Sequence, residues 1–251
     1  MIVEYFRPRD IAEALKLLGK TDIKMVLMGG GTALDRYSPE PIAVIDLQDL
    51  DLGGIQEKGN FLEIGATVTL QSLLDEPTVS EVLKDVIRRE ATYNLRQVAT
   101  VAGTLLVSDG RSPFTTALLA LDTSVTLLPD DSTINLGDLL LRRGMGMRNK
   151  LISKISFPIN VKLAYEDVSR SPADLPIVSS AVAVWPGGRT RVTLGGYGKL
   201  PTLAADGPEM GGEEFAARDA YLQAGDEWAS AEYRMDVAST LVKRCFSELE
   251  L

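Results

Sequence analysis

Residues 27–34 read Leu27-Met28-Gly29-Gly30-Gly31-Thr32-Ala33-Leu34, with three consecutive glycines directly after a short apolar run. The run from Lys24 to Met28 predicts a β-strand, so the glycines mark a junction between strand and loop. Glycine lacks a Cβ, which permits a positive φ and a close backbone approach. Successive N–H groups of such a loop can converge on an anion, and Thr32 adds a hydroxyl donor. The residues leave two readings open: an anion-binding loop, or a tight turn that requires glycine.

A second segment of small residues reads Ala99-Thr100-Val101-Ala102-Gly103-Thr104-Leu105. Its small apolar character suits a backbone that lies against a flat ligand, and an ordinary loop would also account for it. The polar stretch at residues 108–113, which contains Asp109, follows it. By itself this stretch indicates a solvated turn.

The charge balance argues against nucleic-acid binding. The chain has 251 residues and a net charge of -9, from 26 basic and 35 acidic side chains. Such a surface repels phosphate backbones. Backbone N–H groups can still bind a small anion, because they do not depend on net charge.

The absence of histidine excludes several kinds of site. A Ser-His-Asp triad, an HExxH zinc site and a histidyl-linked flavin each require histidine, and the chain has none. With Cys245 as the single cysteine, a structural zinc site or a self-contained iron–sulfur site is also excluded. We therefore expect no metal ligands and no catalytic residue in this chain, and any redox chemistry requires a cofactor held non-covalently.

Hydropathy and cysteine usage suggest the compartment. No stretch approaches about eighteen consecutive apolar residues, so we expect no membrane span. The first ten residues are charged almost at once and lack the apolar core of a secretory signal. Together with the single cysteine, these features predict a cytoplasmic protein.

The periodicity divides the chain into three segments, residues 1–55, 56–160 and 161–251. In the first, Asp10 and Glu13 have capping-box spacing and predict a helix over residues 10–19, followed by strands at 24–28 and 42–46. The second alternates predicted strands and helices. The third contains a predicted hairpin around Pro186-Gly187-Gly188 and a long helix from about Ala229 to Leu249.

Taken in order, these segments resemble the flavin subunits of molybdopterin hydroxylases, the carbon monoxide dehydrogenase and xanthine dehydrogenase family. That family has an Ala-Gly-Gly-Thr-Asp-Leu type loop after a strand, then an Arg-Asn-x-Ala-Thr-Val-Gly-Gly-Asn type segment and an Ala-Leu-Leu-Ala-Leu-Asp helix. It also has a Ser-Ala-Glu-Tyr-Arg helix near its C-terminus. The similar segments of this chain are residues 28–34, 96–104, 117–122, 165–178, 192–198 and 230–234.

The resemblance implies an α+β fold. A two-lobed FAD-binding domain of the vanillyl-alcohol-oxidase-like, PCMH type would occupy residues 1–55 and 56–160, and a small C-terminal α+β domain would follow at 161–251. FAD would be bound non-covalently. In the family a molybdopterin subunit oxidises the substrate, and the electrons reach the flavin through a [2Fe–2S] subunit. The flavin then passes them to an acceptor. Both subunits are therefore the implied partners.

The resemblance also implies a set of cofactor contacts. They lie in the glycine loop, in the second small-residue segment and at three further positions. The expected residues are Met28, Gly29, Gly30, Gly31, Thr32, Ala33, Leu34, Thr100, Val101, Ala102, Gly103, Thr104, Asp109, Ile152 and Asp167.

Some positions depart from the family pattern. Ala33 replaces an aspartate, Ala102 a glycine and Thr104 an asparagine, while Glu166 and Asp167 stand where some members have a lysine. These acids leave two readings open: a solvated turn in which they pair loosely with Arg170, which we favour, or an arrangement in which one acid faces the flavin. The departures motivate a second hypothesis, a flavin-free structural or docking subunit of the same type of complex. A third hypothesis, a free-standing flavin oxidase, requires an acid–base group for its substrate, and no obvious candidate is present.

Overall fold

The structure is a computed structural model that describes residues 1–34, 40–144, 146–208 and 211–250. The chain divides into two compact units that interleave along the sequence. Unit 1 comprises Met1–Glu76, Tyr93–Val107 and Ser124–Ser156. Unit 2 comprises Pro77–Thr92, Ser108–Thr123 and Phe157–Leu251. None of the helices among the described residues is long and apolar enough to cross a membrane.

The N-terminal part of unit 1 is a three-stranded parallel sheet with one helix. It consists of β1 (Ile2–Phe6), α1 (Ile11–Leu18), β2 (Lys24–Met28) and β3 (Ile42–Asp46), in the strand order β1-β3-β2. Asp10 caps α1, because its carboxylate accepts a hydrogen bond from the Glu13 amide at 2.8 Å. The predictions of α1, β2 and β3 are confirmed. β1 is an additional edge strand that is exposed on both faces, so it lacks the alternation by which strands are recognised.

The rest of unit 1 is built around a five-stranded sheet. Its strands are β4 (Ile55–Lys58), β5 (Phe61–Gly65), β6 (Ser124–Leu128), β7 (Ser132–Asn135) and β8 (Leu151–Pro158), in the order β4-β5-β8-β6-β7. The helices of this unit are α2 (Leu70–Leu74), α4 (Tyr93–Arg96), α5 (Val101–Val107) and α7 (Leu136–Arg142). The interpretation of residues 99–105 as a loop was wrong, since α5 begins at Val101.

Unit 2 contains a four-stranded antiparallel sheet. Its strands are β9 (Lys162–Val168), β10 (Val178–Val184), β11 (Arg189–Gly195) and β12 (Thr202–Pro208), in the order β12-β11-β10-β9. The helices are α3 (Glu81–Glu90), α6 (Pro113–Ala120), α8 (Glu213–Ala220) and α9 (Ala231–Glu248). All seven residues of β10 are buried, because α6 and α9 both pack on this strand. The hairpin and the long C-terminal helix predicted from sequence are confirmed.

The mixture of helices and sheets agrees with the predicted α+β class. Each of the three sheets falls almost entirely within one of the three predicted segments, whereas the compact units number two. The boundaries at residues 55 and 160 therefore stay a prediction.

Candidate functional site

The glycine loop forms a turn directly after β2. The Leu34 amide donates to the Gly31 carbonyl at 3.0 Å, and Gly31 has a φ of 72°. Among the described residues, the amides at positions 29–33 have no hydrogen-bond acceptor. The Thr32 hydroxyl also lacks a partner in this part of the chain, and Thr32 is exposed. Where the structure describes the chain, this turn therefore presents a run of backbone donors without protein acceptors.

The turn packs tightly on the second small-residue segment. A Cβ on Gly30 would overlap the backbone carbonyl of Val98, and a Cβ on Gly29 would lie 2.6 Å from Thr100 Oγ1. Two segments far apart in sequence are thus in contact through backbone and side-chain atoms of unit 1. The first two glycines serve this contact, so their lack of a side chain is required by the protein itself.

Thr100 organises the second segment as the N-cap of α5. Its Oγ1 accepts a hydrogen bond from the Gly103 amide at 3.1 Å, and its carbonyl accepts from the amide and the hydroxyl of Thr104, each at 2.9 Å. The Val101 amide donates to the Val68 carbonyl at 2.9 Å, and Val101 is fully buried. The amides of Val101, Gly103 and Thr104 are therefore already used, and among the described residues the Ala102 amide has no acceptor.

The second segment is also held from its other side. The Leu70 amide donates to the Ala99 carbonyl at 2.8 Å, and Thr69 forms an isolated β-bridge with Thr100. Residues 98–101 thus lie between the glycine turn and residues 68–70. Sequence reasoning did not identify Val68, Thr69 or Val98, because ordinary residues that contribute backbone atoms leave no motif.

The remaining predicted contacts of unit 1 are buried or partly buried. Ile152 lies in β8 opposite Leu127 of β6, and only 3% of it is exposed. Met28 and Leu34 are partly buried at the two ends of the glycine turn. Ile152 therefore belongs to the packed interior of the five-stranded sheet.

Asp109 and Asp167 belong to unit 2. Asp109 is exposed, and its carboxylate accepts a hydrogen bond from the Arg111 amide at 2.8 Å. Asp167 forms an ion pair with Arg89 and accepts a hydrogen bond from Ser169 Oγ at 3.0 Å. Both carboxylates thus have protein partners that fix their orientation.

The interpretation of Glu166 and Asp167 as a solvated turn was wrong. Both residues lie in β9, where they pair with Ser180 and Ser179 of β10. Because neighbouring residues of a strand point to opposite faces, the two acids have different surroundings. Glu166 is 4.0 Å from Arg244, and partial burial together with the neighbouring Glu248 raises the pKa of its carboxyl.

Arg170, the other arginine of this region, also has partners of its own. Arg170 pairs with Asp174 at 3.1 Å and lies over the Trp228 ring. It is therefore not the partner that sequence reasoning gave to the two acids.

The glycine turn fits the phosphate part of a dinucleotide. Anions bind well where several backbone N–H groups are free and no carboxylate lies among them. Residues 29–34 carry no acidic side chain, and the amides at positions 29–33, which have no acceptor among the described residues, follow a strand that is itself fixed in a sheet. The second segment gives support to this turn and adds few donors of its own.

Comparison with known proteins identifies the family. Residues 1–160 match the model of the FAD binding domain in molybdopterin dehydrogenase. The chain belongs to this family.

Relatives of known sequence and structure extend the match over the whole chain. The uncharacterized protein YgfM of Escherichia coli strain K12 is 26% identical over 257 residues, which cover 100% of this chain and 97% of the relative. A carbon monoxide dehydrogenase structure from Hydrogenophaga pseudoflava matches with a TM-score of 0.80 and 23% identity, covering 98% of this chain and 96% of that chain.

Two further structures show the same fold. Reconstituted CO dehydrogenase from Oligotropha carboxidovorans matches with a TM-score of 0.81 and 22% identity, over 97% of this chain and 96% of that chain. Quinoline 2-oxidoreductase from Pseudomonas putida 86 matches with a TM-score of 0.78 and 19% identity, over 98% of this chain and 95% of that chain. These likenesses confirm the predicted α+β fold of this FAD-binding family.

Proposed function

We propose that this chain binds FAD non-covalently and acts as the flavin subunit of a molybdenum hydroxylase type of complex. The observation that carries the proposal is the run of amides at residues 29–33 that have no acceptor in the described part of the chain, in a turn that a second segment holds in place. Membership of the FAD-binding family supports the choice of ligand. The pyrophosphate would accept hydrogen bonds from these amides and from the Thr32 hydroxyl.

Bound FAD supplies the redox chemistry, because it accepts and donates one or two electrons. The residues of this chain bind and orient it. The amides of the glycine turn offset the phosphate charge, while Val98 and Thr100 fix the turn before the ligand arrives, which lowers the entropy cost of binding. Ala102 and Thr104 complete the proposed contact region, with Val101 and Ile152 as buried support.

The proposal includes partner subunits that carry a [2Fe–2S] cluster and a molybdopterin. A flavin that relays electrons needs a donor, and this chain has one cysteine and no histidine with which to ligate a cluster. The structures of similar fold are those of CO dehydrogenases and of a quinoline oxidoreductase. The partners of this chain would supply the electrons, and an external acceptor would receive them.

A second candidate function is a structural or docking subunit of the same type of complex without flavin. The observation that favours it is the hydrogen bonding of the second segment. The amides of Val101, Gly103 and Thr104 already have protein acceptors there. Ala33 in addition offers no side-chain hydrogen bond to a ligand. Under this hypothesis the glycines persist because the loop packing requires them.

Titration of the purified chain with FAD separates the two functions. The flavin-binding function predicts saturable quenching of flavin fluorescence near one equivalent and a visible spectrum that persists after gel filtration. The Ala33→Asp, Ala102→Gly and Thr104→Asn triple variant restores the family pattern and serves as a positive control. If that variant binds FAD while the parent chain does not, the structural function is correct.

A further inference from the structure

A cavity of unit 1 lies away from the glycine turn. It has a volume of about 740 Å³ and is lined by residues 18 and 20–25 together with residues 144 and 147–149. The lining residues of the first segment surround the beginning of β2, whereas the glycine turn follows the end of that strand. The two sites therefore lie at opposite ends of one β-strand.

The lining combines an apolar part with a cationic rim. Leu18 is buried, and Ile23 and Met25 are partly buried, so the deeper surface of the cavity is apolar. The exposed rim carries Lys20, Lys24 and Arg148, against one acid, Asp22.

The rim cations have no acidic partner among the described residues. Within the described part of the chain, Lys20, Lys24 and Arg148 make no salt bridge; the Lys20 amine lies 4.9 Å from the centroid of the Phe6 ring. Arg142, whose Cβ lies against Gly146 of the same loop, makes no ion pair with a described residue either. Elsewhere in unit 1 the lysines at the sheet surface are paired, as Lys58 and Lys154 are with Glu63. Three exposed cations without a salt bridge to a described residue, and one acid, thus line one cavity of a chain whose net charge is -9.

We propose that this cavity binds an organic phosphate of nucleotide size. The apolar part would receive the ring system or other hydrophobic body of the ligand, and the rim would pair with its phosphates through charge-assisted hydrogen bonds. Cavities of about 300–1,000 Å³ that combine an apolar lining with a few charged groups are typical of small-ligand sites. None of the lining residues belongs to the glycine turn or to the second segment, so this proposal does not rest on the proposed flavin function.

Calorimetric titration of the full chain with ADP tests the proposal, with inorganic pyrophosphate as the probe that lacks a hydrophobic body. ADP is expected to bind, and pyrophosphate to bind at least about tenfold more weakly. Lys24→Gln and Arg148→Gln are each expected to weaken ADP binding about tenfold, because each removes a charged hydrogen-bond donor. Lys243→Gln is the matched control, because Lys243 is an exposed lysine of α9 outside the cavity.

Three results would overturn the proposal. Equal affinity for ADP and pyrophosphate would mean that only surface charge is sensed. If Lys243→Gln weakened ADP binding as much as Lys24→Gln and Arg148→Gln, the binding would likewise depend only on surface charge. Competitive displacement of ADP by FAD would place the bound ADP in the flavin site instead of this cavity. ADP binding in a chain that takes up no FAD would support this proposal and contradict the proposed flavin function alone.

Discussion

Gly30 and Val98 are packed so closely that no side chain fits between them. A Cβ on Gly30 would overlap the Val98 carbonyl oxygen and would approach the Ala99 amide nitrogen to 3.2 Å. Both obstacles are backbone atoms, which do not move as a flexible side chain does. The glycine at position 30 is therefore a requirement of the protein's own packing, and the effect of replacing it appears without any ligand.

We expect Gly30→Ala to destabilise unit 1 by about 1–3 kcal/mol, the usual cost of overpacking. Urea denaturation followed by circular dichroism measures the change. Gly54→Ala is the matched control, since a Cβ at Gly54 meets no atom within 4 Å. Equal stability of the Gly30 and Gly54 variants would contradict the contact between the two segments.

Thr100 is expected to act as a positioning residue. Thr100→Val keeps the shape of the side chain and removes the Oγ1 acceptor of the Gly103 amide, which should cost roughly 1 kcal/mol, as the loss of an N-cap does. Thr100→Ser keeps the acceptor and should restore the lost stability. Hydrogen exchange at the Gly103 amide reports the effect directly, and unchanged protection in Thr100→Val would rule out the capping role.

The proposed phosphate contacts predict a strong effect of charge at Thr32. Thr32→Glu places a carboxylate among the amides that would bind the pyrophosphate, so we expect FAD affinity to fall by at least about tenfold, or roughly 1.4 kcal/mol. The fold should be retained, because Thr32 is exposed. Thr240→Glu adds the same charge to an exposed position of α9 and should leave FAD binding unchanged. Undiminished binding by Thr32→Glu would place the flavin elsewhere.

Glu90 should make stability depend on pH. Burial raises the pKa of its carboxyl, although hydrogen bonds from Ser112 Oγ at 2.7 Å and the Phe114 amide at 3.0 Å act in the opposite direction. A raised folded-state pKa means that the folded protein holds the proton more tightly than the unfolded chain does. The stabilisation is thus complete below the unfolded pKa of about 4.3 and is lost as the pH rises through the folded pKa.

We therefore expect Glu90→Gln to gain stability relative to the parent chain as the pH rises from the unfolded pKa of about 4.3 through the raised folded pKa. Denaturation curves at several pH values measure the difference in free energy of unfolding. Glu81→Gln, an exposed position on the same helix, is the control and should show a smaller pH-dependent difference. A constant difference between Glu90→Gln and the parent across this range would contradict the prediction.

Arg234 is a fully buried arginine that stabilises unit 2. Its guanidinium donates to the carbonyls of Ile177, Ala224 and Ala229 and to the carboxylate of Asp226, at 3.1, 2.6, 3.0 and 2.8 Å. We expect Arg234→Ala to cost about 3–5 kcal/mol, because buried acceptors lose their donor. Arg218→Ala, which breaks the exposed pair with Asp236, should cost less than about 1 kcal/mol. Thermal denaturation compares the two variants.

Local sequence patterns determined many of the elements. The spacing of Asp10 and Glu13 predicted α1, the glycines after Met28 marked the end of β2, and the turn at residues 186–188 predicted the β10–β11 hairpin. Each of these signals lies within a few residues of the structure it specifies, because capping, turn geometry and side-chain alternation are local effects. The exclusion of histidine-dependent and cysteine-rich sites also followed from composition alone.

Tertiary structure decided what those elements contact. Nothing near Thr100 indicates that its side chain faces Gly29 and caps α5, and nothing near Asp167 indicates that Arg89 is its partner. The strand at residues 162–168 was also missed, because its acids at positions 166 and 167 resemble a turn until they pair with β10. These contacts join residues far apart in sequence, so their energies depend on packing that no local window contains. The sequence by itself therefore determined the local elements and the excluded chemistry, whereas only the folded chain decided that Val98 and Thr100 pack against the adjacent glycines Gly29 and Gly30.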